Sequence, residues 1–78
     1  MDHKEMVLTV LAQVSGAEAS GIEPHMDLVA DLGIDSPKAL ELLVELEEKL
    51  GVEISDEDAA GLDTVEDVLA CAERLMAA

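Results

Sequence analysis

At 78 residues, half of them apolar, the chain has the material of one small domain and is not wholly disordered. Four basic residues against 19 acidic ones leave a net charge of −15, which argues against phosphate backbones and anionic membranes as partners and for basic protein surfaces. Phe, Tyr and Trp are absent, so the core must be built from Leu, Val, Ile, Met and Ala.

The first element is a helix. Asp2 with Glu5 fits a loose capping box, Asp standing in for Ser or Thr. Met6, Val7, Val10, Leu11 and Val14 recur at helical spacing, and Gly16 is a stop signal. From Ser15 to Asp35 the pattern breaks, with Gly21, Pro24 and Gly33 interrupting it. A bare loop of that length is unusual in a small domain. Ile22, Met26, Leu28, Val29, Leu32 and Ile34 predict instead an ordered crossover packed on the core, with a short helical turn near Asp27 to Ala30.

Helix two follows. Ser36 is a favoured N-cap, and Pro37 suits the first helical position because its missing N–H has no partner there in any case. Leu40, Leu43, Val44, Leu46 and Leu50 are the predicted buried side, and Gly51 ends the helix. Ser55 with Asp58 opens a short third helix ending near Gly61. Thr64 with Asp67 repeats the signature for helix four, whose apolar residues are Val65, Val68, Leu69, Ala72, Leu75 and Met76. The predicted fold is all-α: a small four-helix bundle of three principal helices and one short one, with a long first loop. No repeat, low-complexity tract or linker divides it, so residues 1–78 are read as a single domain.

The single cysteine, Cys71, excludes an internal disulfide, falls on the apolar face of helix four and is expected to be a buried, inert thiol with only Arg74 as a basic neighbour. The start "MDHKEMVLTVLAQV" lacks the uninterrupted apolar run of a signal peptide, and no segment is long enough to span a membrane. A cytoplasmic monomer is the simplest expectation, since a high net charge keeps proteins soluble and apart.

Catalytic material is scarce. His3 and His25 read as surface residues, and "GIDSP" is not the G-x-S-x-G elbow of hydrolases. No His/Cys set has zinc spacing and no acidic run matches a calcium loop. A domain of this size also lacks material for an ordinary substrate cleft, so neither an enzyme nor a metal protein is expected.

Ser36 stands out. As a cap it would be structural only. Yet the start of a helix offers unpaired N–H groups and the positive end of the dipole, an environment suited to a phosphate ester on the serine oxygen. Gly33 allows a tight turn just before it. Glu41, Glu45 and Glu48, spaced four and three apart, run down helix two, and Glu47 and Asp35 widen the stripe.

"DLGIDS", a leucine-rich acidic helix and "LGVEISDEDA" together resemble the acyl carrier protein family, and the resemblance runs from helix one to "TVEDVLA" in helix four. It implies a four-helix carrier whose serine receives 4′-phosphopantetheine from coenzyme A, with Ser36 as the attachment site. The arm's terminal thiol, and not Cys71, would hold the cargo as a thioester. Asp35, Glu41, Glu47, Glu48 and Asp56 match family positions that dock basic partner enzymes, and Glu45 lies in the same stripe. The implied partners are a phosphopantetheinyl transferase, an acyl- or aminoacyl-loading enzyme, and synthases or acyltransferases with basic docking surfaces. The family's usual "DSL" is "DSP" here, and Lys38 stands where an acidic or polar residue is common. Both changes sit at the partner-facing head of helix two and suggest a specialised carrier, serving lipid, polyketide or aminoacyl chemistry. Two other readings remain: an unmodified acidic adaptor using the same face for protein binding alone and, weakest, a small hydrolase acting through Ser36.

Overall fold

A computed structural model describes residues 2–77. Helix α1 spans His3–Ser15, α2 Ser36–Leu50, α3 Asp56–Ala60 and α4 Val65–Ala77, with one 3₁₀ turn at Ala19–Gly21. Among the described residues there is no strand, only an isolated antiparallel bridge between Asp27 and Thr64. The all-α architecture, with three longer helices and one short one, is as the sequence predicts.

Local chemistry fixes the helix ends. Glu5 N–H donates to Asp2 Oδ1 at 2.9 Å at the start of α1. At its other end Gly16 takes the left-handed conformation, φ 82°, and its N–H donates to Ala12 O. Ser55 Oγ accepts from Asp58 N–H at 3.1 Å and donates to the Asp58 carboxylate. The box at α4 is reciprocal: Asp67 N–H donates to Thr64 Oγ1, and Thr64 N–H donates back to Asp67 Oδ2.

The Ser15–Asp35 crossover is ordered because its polar groups are paired. Asp27 Oδ1 accepts from Val29 and Ala30 N–H, and Asp31 Oδ2 accepts from Asp27 N–H. Asp31 N–H donates to Asp27 O at 3.0 Å, which is the predicted helical turn. The loop is also tied to the head of α4. Leu28 N–H donates to Asp63 O, Val65 N–H to Met26 O and Glu66 N–H to Pro24 O. Two N–H groups that α4 cannot satisfy internally are thus satisfied by a distant segment.

The core joins Val7, Val10 and Leu11 of α1 to Leu42, Leu46 and Leu50 of α2 and Val65, Val68 and Ala72 of α4. Ile22, Leu28, Leu32 and Ile34 of the crossover complete it. Three apolar residues predicted to be buried are not, and a fourth, Met76, is also exposed. Val29 is 64 % exposed, because it sits on the crest of the Asp27 turn. Leu40 and Val44 are 66 % and 52 % exposed. The buried line of α2 runs Leu42, Leu46, Leu50, and residues two positions away from it point about 200° round the helix. Met76 is 46 % exposed in the last turn of α4, where the helix has outrun the core. Cys71 is buried on α4, as predicted.

Candidate functional site

The head of α2 is built from the inside outward. Ile34, only 2 % exposed, anchors the chain in the core, and its N–H donates to Leu28 O at 2.8 Å. Gly33, at φ 67°, makes the turn that brings the chain there. The next two residues, Asp35 and Ser36, emerge into solvent.

The N-cap is Asp35 and not Ser36, which corrects the sequence expectation. Asp35 is extended (φ −80°, ψ −174°), and its Oδ1 accepts from Lys38 N–H at 3.4 Å. Its carboxylate, one residue earlier, reaches the same first-turn donor that a serine cap would seek. Ser36 is therefore the first helical residue, and its exposed hydroxyl is released from the capping role. Pro37 is the second helical residue and not the first as predicted, though it still lies in the first turn, where its missing N–H costs no helical bond.

The acidic residues do not form one uniform stripe. Glu41 and Glu48 are exposed, and Glu45 is half-buried. Glu41 and Glu45 edge a groove of about 480 Å³ between α1 and α2, shared with Gln13, Val14, Leu40 and Val44. Glu47 faces a different depression, with Val52, Glu53, Ile54 and Ser55, and its Oε2 accepts from Ile54 N–H at 2.8 Å. That bond gives Glu47 a structural task in the turn after α2. Asp56 is exposed in the first turn of α3, and Lys38 is exposed near the head of α2. Leu40 and Val44 follow Ser36 at intervals of four, so the three lie along one side of α2. That spacing makes an apolar line leading away from the serine, and it is exposed where the sequence pattern predicts core.

A cavity of about 90 Å³ lies between the crossover turn, α2 and α3, lined by Leu28, Val29, Ile34, Ala39, Leu42, Leu43, Ala59 and Leu62. Every lining residue is apolar. Deeper, beside Leu46, Val68 and Cys71, the free space is only about 10 Å³, no more than a single water requires.

On the α3–α4 side, Arg74 pairs with Asp58 and lies 3.8 Å from Cys71 Sγ. Burial pushes the Cys71 thiol above its ordinary value, the Asp58 charge adds to this, and Arg74 opposes both. Asp67 is held below the ordinary carboxylate value mainly by the backbone N–H groups of Asp63 and Thr64. Neither histidine is hydrogen-bonded to Ser36; His25 is exposed and His3 half-buried. Among the described residues no cluster of His, Cys, Asp or Glu could hold a metal ion, and no helix is long and apolar enough to cross a membrane.

Residues 5–72 match the family model described as the phosphopantetheine attachment site. The chain belongs to the acyl carrier protein family. It is 45% identical over 69 residues to the meromycolate extension acyl carrier protein of Mycobacterium tuberculosis, covering 88% of this chain and 60% of that protein. It is 46% identical over 66 residues to the protein of the same name from Mycolicibacterium aurum, covering 85% of this chain and 68% of the relative. The chain thus spans about three fifths of the length of several of the curated relatives it matches. A solved structure described as an acyl carrier protein of Mycobacterium tuberculosis superposes with a TM-score of 0.86 at 32% identity, covering 94% of this chain and 97% of that one.

The family's prosthetic group, phosphopantetheine, fits this site. Ser36 presents an exposed hydroxyl that its helix does not use as a cap, at the positive end of α2. The adjoining Asp35, Pro37 and Lys38 are all exposed, so no packed side chain stands over the oxygen.

Proposed function

We propose that Ser36 carries the phosphopantetheine arm and that the chain acts as one carrier domain over residues 1–78. The observation that carries this reading is the exposed serine at the first position of α2, freed from capping by Asp35, within the matched region. On attachment, Ser36 Oγ forms the phosphoester bond as the pyrophosphate link of coenzyme A breaks. The serine proton is given up to base or solvent, and adenosine bisphosphate leaves. The bound group supplies a terminal thiol that holds cargo as a thioester. The chain's own part is to fix the root of the arm at a rigid helix end and to present a docking face beside it.

That face comprises Asp35, Glu41, Glu45, Glu48 and Asp56, together with the apolar side chains of Leu40 and Val44. It suits partners with basic rims round an apolar centre: a phosphopantetheinyl transferase, a loading enzyme, and synthases or acyltransferases. Glu47 contributes charge while holding the turn after α2. The relatives named for meromycolate extension favour an acyl cargo over an aminoacyl one. Pro37 and Lys38 support a specialised member of the family. The proposed setting is the cytoplasm, with the carrier monomeric between encounters.

Intact mass after incubation with coenzyme A and a phosphopantetheinyl transferase tests the assignment. The wild type should gain the mass of one arm and Ser36→Ala none. A modified Ser36→Ala protein would refute it, and an unmodified wild type would favour a plain acidic adaptor.

A further inference from the structure

The backbone donors at the head of α2 can be counted. The first helical bond is Ala39 N–H to Asp35 O at 2.7 Å, so the three residues before Ala39 have no acceptor within the helix. Pro37 has no N–H at all. Lys38 N–H is directed at Asp35 Oδ1, and Asp35 N–H is turned back onto Gly33 O at 3.1 Å. Of the donors at the head of α2, only Ser36 N–H has no acceptor among the described residues.

We propose that the phosphodiester on Ser36 is held at its root by this single backbone donor, and that Pro37 is the positioning residue that sets the number at one. The inference rests on Ser36 being the attachment site. Any other residue at position 37 would add a second N–H directed out of the same helix end. Asp35 keeps the remaining donor occupied, and its carboxylate repels a second anion brought close to it. The ammonium of Lys38 does not make up the difference from its own position: two residues on, it leaves the helix about 200° away from Ser36. The root of the arm is therefore lightly held, and most of the phosphodiester's acceptor capacity is left for cations on a partner enzyme.

The test is made on isotope-labelled protein, converted from apo to holo with coenzyme A and a transferase, for the wild type and Pro37→Ala. Pro37 is exposed, and alanine is a strong helix former, so the variant should fold. Intact mass is read first. On conversion of the wild type, the Ser36 amide proton should shift downfield while that of Lys38 stays in place. In the variant, the amide at position 37 should shift as well, and the phosphorus transverse relaxation of the holo form should quicken towards the rate of overall tumbling. If the mass rises but the Lys38 amide moves as far as that of Ser36, or phosphorus relaxation is the same in both proteins, the single-donor inference is overturned and the attachment site stands. If Ser36 gains no mass, both fall.

Discussion

The guanidinium of Arg74 on α4 reaches the carboxylate of Asp58 on α3 and lies 3.8 Å from the sulfur of Cys71. Helix α3 has only five residues and none is buried, so its position depends on a few such ties. Exposed ion pairs contribute little to stability, about 0–1 kcal/mol. The consequence to measure is therefore thiol chemistry.

Cys71 in the apo wild type should react slowly with a thiol reagent when folded and quickly in denaturant. Asp58→Asn removes a negative charge that raises the thiol's pKa and releases Arg74 from α3. Both effects favour the reactive thiolate. The variant should label faster at mildly alkaline pH, with the midpoint of its rate–pH profile moved down. An unchanged midpoint would mean that Asp58 does not act on the thiol.

Asp67 links the crossover to acid stability. Its carboxylate accepts from Asp63 and Thr64 N–H at the point where the loop is tied to α4. Because its folded pKa lies below the ordinary 3.8, its contribution is fully present above that value and is lost as pH falls through the folded one. Asp67→Asn should therefore melt below the wild type at neutral pH, with the gap closing in acid below 3.8. A gap that is constant with pH would assign the effect to shape and not to charge.

The phase of α2 separates two leucines two positions apart. Leu42 is in the core, whereas Leu40 is mostly solvated. Leu42→Ala should cost about 2–5 kcal/mol in a urea titration. Leu40→Ala should stay within about 0.5 kcal/mol of the wild type. Equal losses would contradict the burial pattern.

The caps were legible in the sequence because each depends on one side chain and an N–H three residues on, as at Asp2, Ser55 and Thr64. The face of α2 was not. Ala39, Leu40, Leu42, Leu43, Val44, Leu46 and Leu50 cover more than one side of a helix, and spacing alone does not say which side meets α1. The bonds from Pro24, Met26 and Leu28 to the head of α4 run through backbone atoms and leave no side-chain signature. At the site, "GIDSP" marked the serine, but two cap formers stood side by side. Local preference does not distinguish Asp from Ser, and the backbone placed the helix start one residue earlier than a serine cap requires.

Lys38 carries the case for a specialised partner. It is the one basic residue in the first half of α2, on an exposed site two residues after the root of the proposed arm and on the side of the helix that carries Glu41 and Glu45. A partner that presents arginines and lysines to Glu41, Glu45 and Glu48 would set like charge against Lys38, and such juxtaposition suppresses wrong partners. The cognate enzyme should instead place an acidic or neutral group there and its basic residues further down the helix. An exposed pair of this kind is worth about 0–1 kcal/mol, since the ammonium can swing into water, so a severalfold effect is expected. Lys38→Asp should raise kcat/KM with a housekeeping fatty-acid synthase component and lower it with the cognate loading enzyme, while Leu40→Ser should lower both. If Lys38→Asp moves the two enzymes in the same direction, or moves neither, Lys38 is not a specificity device and the carrier docks through its acidic and apolar residues alone.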